Sequence, residues 1–150
     1  MDFPTLLEQF VTAVESGDAE GFAHLFTEDA VYMDGFYGPF EGRAVIAKMI
    51  SEHFHGNGKD YRWIMRVPVY AGDLGYARYV FHYTSTLPEA EGRQVVFEGI
   101  SQFRFRDGKI ERYSEVFDRG AALSQLDFAP DRIAKSLARC SRELQERAGA

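Results

Sequence analysis

Two carboxylates in this 150-residue chain stand among aromatic residues in a way that suits acid–base chemistry. Asp34 lies in AVYMDGFYG, where a loop rich in glycine and aromatic residues begins. Glu115 lies in RYSEVF, and strand alternation puts it on one face with Tyr113 and Phe117. A carboxylate taken out of water by apolar neighbours holds its proton more tightly, which brings a general acid or base toward neutral pH. Two such groups in different surroundings can divide the work, one as base and one as acid. Each also has a plainer reading. Asp34 can cap a glycine-containing turn, and Glu115 can pair with an arginine or lie at a dimer contact. Asp118 competes with Glu115, because alternation turns it outward and a bulge would turn it in.

Other residues could assist. Ser101, a hydroxyl among phenylalanines, could donate to a substrate carbonyl or simply bond the backbone. Tyr32 and Tyr79 are candidate hydrogen-bonders. His53 and His55 could move protons or bind a metal, but no third ligand is near in sequence, and a histidine at a helix end also complements the helix dipole. No metal site is therefore expected. Tyr37, Trp63, Phe81, Tyr83, Phe97 and Phe103, with Tyr113 and Phe117, are candidates for a pocket wall, with packed core as the alternative. Cys140 falls on an apolar helix position and lacks a neighbouring base. The chain contains no glycine-rich phosphate loop, Ser-His-Asp order or Cys/His cluster, so no cofactor is expected.

The elements that must position these residues follow from periodicity. Phe97 to Phe117 reads as two antiparallel strands joined at Asp107-Gly108, a strong hairpin signal. Tyr61–Tyr70 and Tyr76–Leu87 read as two more long strands, with Pro68 marking an edge or a bulge. Before them come a helix at Phe3–Ser16 ended by Gly17, a short helix capped by Asp18, a brief strand at Ala30–Met33, and a loop from Asp34 to Gly42. The two Phe and one Tyr of that loop predict that it folds over something apolar. A third helix spans Arg43–Phe54, and a last one Asp131–Arg147. Helices first, then a meander of strands, predict an α+β fold with a curved antiparallel sheet wrapped around the helices like a cone. The final helix either covers the open end of that cone or extends a dimer.

Composition narrows the class. The length predicts one domain over 1–150. Apolar residues make up 45% of the chain, which excludes intrinsic disorder. The net charge of −6 argues against nucleic acid as a partner. No apolar run approaches the length of a membrane span. The amino terminus shows no basic stretch followed by an apolar core. With a single cysteine, these features predict a cytoplasmic protein. Thirteen Phe and eight Tyr exceed what a core this size needs, and aromatic rings suit walls around a small hydrophobic organic molecule. The outward sheet positions Val80, Val96, Ile100 and Val116 are apolar enough to predict a homodimer through the sheet.

Three stretches carry a family resemblance. ESGDAEGFAHLFTEDAVYMDGFYGPFEGRAVIAKMI resembles the amino-terminal signature of the nuclear-transport-factor-2-like superfamily, and EGISQFRFRDGKIERYSEVFD resembles its last two strands. DRGAALSQLDFAP is similar to the segment after the last strand in SnoaL-like polyketide cyclases. Together they cover most of residues 6 to 130. The resemblance implies the cone fold and a set of activities that includes isomerases, cyclases, dehydratases and non-catalytic binders. Asp34 falls where the general base of ketosteroid isomerase sits. That enzyme's two oxyanion donors would fall at Phe10 and Ser101, so steroid isomerisation is not implied. Limonene-epoxide-hydrolase-like enzymes need an Asp-Arg-Asp group, which this chain does not assemble. Asp118 resembles a SnoaL-like family aspartate. The resemblance thus implies a small-molecule-binding protein, either a cofactor-free acid/base isomerase, cyclase or dehydratase, or a non-catalytic binding or dimerisation domain.

Overall fold

The structure is a computed structural model that describes residues 1–150. The first helix, α1 (Phe3–Ser16), has Pro4 in its first turn and ends on Gly17 in the left-handed conformation. Asp18 then caps α2 (Ala19–His24), accepting from the Gly21 N–H at 2.9 Å. The chain enters the sheet as β1 (Phe26–Asp34), turns, and returns as β2 (Gly38–Glu41). Helix α3 (Arg43–Lys48) continues into a π-helical turn at Met49–Phe54, where the His55 N–H bonds the Ile50 carbonyl five residues back. Four long strands follow: β3 (Gly58–Ala71), β4 (Leu74–Ser85), β5 (Gln94–Arg106) and β6 (Lys109–Phe117). Two helices close the chain, α4 (Arg119–Gln125) and α5 (Pro130–Ala148).

The six strands lie in the order β2-β1-β6-β5-β4-β3. This is the expected α+β cone with one correction: the sheet is mixed rather than antiparallel. Strand β1 runs parallel to β6, with Tyr32 beside Tyr113. After α1 and α2 the chain joins the sheet at the edge left by the last strand of the meander, and it does so in that strand's direction. The brief strand expected at Ala30–Met33 is correspondingly longer, and the expected loop 34–42 contains β2. The third helix also divides at Lys48, and α4 forms where sequence periodicity predicted no helix.

The hairpin turns at Asp107 (φ 52°) and Gly108 (φ 74°), the double left-handed geometry of a tight two-residue turn. Pro68 lies in β3, an edge strand, at a register shift between Arg66 and Val69. Both edge features follow from proline's missing N–H.

The core fills the narrow part of the cone. Phe10 and Val14 of α1, Phe22 of α2 and Ile46 of α3 are fully buried against Phe26, Phe103 and Tyr113 of the sheet. Phe10 is the hub, with ring centroids 4.8 Å from Phe22, 5.1 Å from Trp63 and 5.4 Å from Phe103. A second, smaller cluster of Ala90, Val95, Ala122, Leu123 and Leu126 sits at the wide end, where α4 packs on β5. Helix α5 has no buried residue, and only Ile133 joins that cluster from the side. No helix is long and apolar enough to cross a membrane. Phe10→Ala should destabilise the fold by about 3–5 kcal/mol in urea titration, the range for emptying a buried aromatic site. A loss below about 1 kcal/mol would mean the hub can collapse around the gap.

Candidate functional site

The row of residues across β4, β5 and β6 determines where the carboxylates lie. Ser101 pairs with Glu115 and Ala77 with Ser101, while Tyr79 pairs with Gly99 and Gly99 with Phe117. Small residues at 77, 99 and 101 leave room over β5 for the Glu115 carboxylate and the Tyr79 phenol to meet. A side-chain carbon at Gly99 would stand 2.8 Å from the Tyr79 hydroxyl. With that space open, Tyr79 and Tyr113 both donate to Glu115 Oε2 at 3.0 Å. Ser101 and Tyr113 share a hydrogen bond of 2.9 Å. Because the single Tyr113 proton goes to Glu115, Ser101 is the donor in that pair. The relay therefore runs from Ser101 through Tyr113 to Glu115.

Asp34 closes β1 and is 6% exposed. Its Oδ1 accepts from the Phe36 N–H at 2.7 Å and the Tyr37 N–H at 2.9 Å, which bends the chain into the aromatic loop. The Gly35 N–H in turn points at Glu115 Oε1 at 3.4 Å. Position 35 admits no side chain, since a Cβ there would fall 2.1 Å from the Phe117 ring. Arg119 donates to the Gly35 carbonyl, and Arg139 to the Phe36 carbonyl at 3.2 Å. The loop is thus tied to β6, α4 and α5 at successive residues.

Electrostatics separate the two acids. Burial first, and then the Asp34 charge, push the Glu115 carboxyl up to about 7 against the three hydrogen bonds it accepts. Burial also raises Asp34, opposed by its two backbone donors and by the nearby His53 and Arg119. Asp34 is thus met by two backbone N–H groups with His53 and Arg119 nearby, and Glu115 by two phenols and one backbone N–H beside the adverse Asp34 charge. With Oε2 taken by two phenols, a proton on Glu115 resides on Oε1. Desolvation raises Tyr79 and Tyr113 far above the usual phenol range, so both remain donors.

An aromatic-walled cavity of about 60 Å³ opens beside these carboxylates. Asp34, Glu115, Tyr32, Tyr37, His53, Trp63, Phe81, Tyr83 and Phe97 of the sequence candidates line it. The Tyr32 hydroxyl and the Trp63 Nε1–H are buried there without a hydrogen-bond acceptor. The Tyr113 hydroxyl nearest Tyr32 is spent on Ser101 and Glu115. The wall therefore offers two carboxylates to a ligand, with the Tyr32 hydroxyl and the Trp63 Nε1–H buried behind its surface. A second, polar cavity of about 550 Å³, edged by Arg112, Arg119 and Glu143, also reaches Asp34 and Glu115.

Six sequence candidates do not line the cavity. Phe103 is core, packed between Phe3, Phe10 and Tyr113. Tyr79, Ser101 and Tyr113 stand behind Glu115 and hold it. Phe117 stacks on Phe97 at 4.4 Å and buttresses the loop through Phe36. The Asp118 carboxylate caps α4, accepting from the Ala121 N–H at 2.9 Å on the surface, and so does not reach the cavity. The register shift in β6 falls between Ile110 and Arg112, so Arg112 to Phe117 alternate without a further bulge.

Sequence reasoning missed Phe36, Phe54, Asn57 and Tyr61 of the wall. Tyr61 shares its strand face with Trp63, and alternation alone could have found it. Phe54 and Asn57 reach the cavity only because of the π-helical turn, which has no local sequence signal. His55 is used elsewhere, bonding the Val14 carbonyl at 2.7 Å. No group of three or more His, Cys, Asp or Glu side chains is placed to hold a metal ion.

The raised Glu115 sets a pH signature. A carboxyl that holds its proton more tightly folded than unfolded makes the folded state bind more protons. Stability then falls as pH rises from the ordinary glutamate value, 4.5, to about 7. Glu115→Gln keeps the shape and cannot ionise, so its urea midpoint should change less across that window than the parent's. Identical slopes would show that Glu115 titrates in the ordinary range.

Comparison with known proteins bears on the fold and the family. The sequence profile of the SnoaL-like domain family matches residues 7–113. A Catenulispora acidiphila protein with a ketosteroid isomerase-like fold, solved with trimethylamine, superposes with a TM-score of 0.73 at 17% identity, covering 85% of this chain and 98% of that one. A candidate polyketide cyclase from Xanthomonas campestris superposes at 0.67 with 25% identity, covering 82% and 95%. An epoxide hydrolase of Mycobacterium tuberculosis, similar to limonene epoxide hydrolase, superposes at 0.67 with 16% identity, covering 81% and 86%. No curated protein sequence matches significantly. With more than half of its length matched, the chain belongs to the SnoaL-like domain family.

Proposed function

We propose that this protein is a cofactor-free acid/base catalyst that isomerises, cyclises or dehydrates a small hydrophobic compound. The observation that carries this reading is the pair of desolvated carboxylates, Asp34 and Glu115, at one wall of an aromatic cavity. In this reading Asp34 takes a proton from a carbon next to a substrate carbonyl. The electron pair moves onto the carbonyl oxygen. Glu115 then delivers its Oε1 proton to a second carbon of the conjugated system. Asp34 is left protonated and Glu115 ionised. Exchange with water in the polar cavity behind them restores the starting state. Asp118 has no role in this scheme, whereas Tyr79, Ser101 and Tyr113 position Glu115. The polyketide cyclase and epoxide hydrolase labels of its structural neighbours support an organic substrate.

A second reading has its own observation. The 60 Å³ chamber is small, and Asp34 Oδ1 already serves its own loop. A non-catalytic ligand-binding or dimerisation domain would look the same in both respects.

The same proposal includes a homodimer through the outer sheet face. Val96, Ile100 and Val116 are 46%, 51% and 77% exposed there, an apolar stripe across two neighbouring strands. A free, half-buried Cys140 and the absence of a second cysteine fit a cytoplasmic setting.

Two outcomes test these proposals. Proton exchange at the carbon beside the carbonyl of small cyclic enones in D₂O, followed by NMR, should be accelerated by the parent. Asp34→Asn should cut the rate by about a hundredfold or more while the thermal melt persists. Unchanged exchange would remove Asp34 from the chemistry. Ile100→Glu should give monomers in sedimentation, and a persistent dimer would put the contact elsewhere.

A further inference from the structure

The inner chamber is too small for most organic ligands, whose sites usually measure about 300–1,000 Å³. It does not end blindly. Phe36, Tyr37, Asn57 and Tyr83 line it and also line an outer groove of about 230 Å³. The groove is apolar, with Leu87, Leu123, Leu126 and Phe128 along it. Asn57 Nδ2 donates to the Tyr37 hydroxyl at 2.9 Å, which makes a polar neck between the two spaces. At its far end the groove shares Arg132 and Ser136 with a third depression of about 260 Å³, whose other residues are Lys135, Arg139 and Arg142.

That last depression is charged in one sense only. Residues 132, 135, 139 and 142 recur at helical spacing and so share one face of α5. Like charges three and four residues apart repel along a helix. Arg132 is partly used, pairing with Glu89 at 3.2 Å and lying 3.7 Å over the Phe128 ring. Arg139 is 3.9 Å from Glu143. Lys135 and Arg142 belong to no ion pair, in a chain whose net charge is −6. A solvated helix face would need no such concentration beside an apolar groove. An anion held at the groove's end would remove the repulsion and account for the placement.

We infer that α4 and α5 form the outer half of an elongated ligand site, which accepts a molecule with an oxygenated reacting head, an apolar body and an anionic tail. The head enters between Asp34 and Glu115, the body lies over Leu123, Leu126 and Phe128, and a carboxylate or phosphate ends at Lys135 and Arg142. The assignment of the head rests on the acid/base reading above, while that of the body and tail does not. The residues that make the outer half all follow position 113, where the family match ends, except those contributed by the loop, the neck and Leu87. Those on α5 also lie past residue 130, where the resemblance to SnoaL-like cyclases ends.

Calorimetric titration with octanoate, octyl phosphate and octan-1-ol separates the elements of this claim. The parent should bind at least one of the two anions about tenfold or more tightly than the alcohol, and which one it prefers identifies the tail as carboxylate or phosphate. K135E/R142E changes two exposed side chains outside the acid/base machinery and should leave the melt unchanged. It should weaken the preferred anion by about tenfold and leave the alcohol unchanged, since two surface charge contacts are reversed. Ser136→Trp, which fills the junction of groove and cationic end, should weaken the anions more than the alcohol. Equal affinity for anion and alcohol in the parent, or anion binding untouched by K135E/R142E, would overturn the proposal. So would tight binding of heparin or an acidic peptide that the octyl anions fail to displace, because a macromolecule would then own the face. If Asp34→Asn left proton exchange unchanged while the anion preference held, the acid/base reading would fail and the outer site would stand.

Discussion

The structure depends on keeping two carboxylates out of water at one cavity wall without letting both ionise freely. Burial of an acid is costly unless donors meet it, and a second charge nearby adds to that cost. This fold meets the cost on two sides. Asp34 receives backbone N–H groups from the loop it starts, and Glu115 receives two phenols and the Gly35 N–H. Burial raises both acids, but the donors differ in kind, and the charge of the other acid is a further cause at Glu115 alone. That difference is what a one-base, one-acid mechanism requires.

Everything around the pair follows from making room for it. Ala77, Gly99 and Ser101 keep the concave face of the sheet shallow where Glu115 lies. Gly35 lets the loop press against Phe117. The narrow end of the cone is filled by Phe10 and its neighbours, so space remains only toward the wide end. There the π-helical turn carries His53 and Phe54 to the cavity, and α4 and α5 wall the approach. A network with few spare positions also explains why the loop is anchored by arginines from both terminal helices.

Much of this was legible in the residues. The hairpin at Asp107-Gly108, the inward face of β5 and the amphipathic α1 are local patterns with one physical solution each, and they fix the α+β fold. Alternation also turned Glu115 inward and Asp118 outward, where capping of α4 uses it. The parallel pairing of β1 with β6 was not legible, because it is set by which sheet edge remains free after the meander closes. Nor was the division between cavity wall and core. Phe81 and Phe103 share composition and strand geometry, yet only the packing of α1 decides that Phe103 is covered. Asp34 looked like either a turn cap or a cavity carboxylate, and its two oxygens let it be both, with Oδ1 in the turn while the residue lines the cavity.

The most direct measurement is a ¹³C NMR titration of the Glu115 side-chain carboxyl in the intact protein. The account predicts a midpoint near 7, moving down when Asp34 is replaced by Asn, because one of the two causes of the shift is the Asp34 charge. A midpoint near the ordinary glutamate value of 4.5, unmoved by that replacement, would contradict it. Glu115 would then be a solvated strand residue, and the aromatic cavity would have no poised acid beside it.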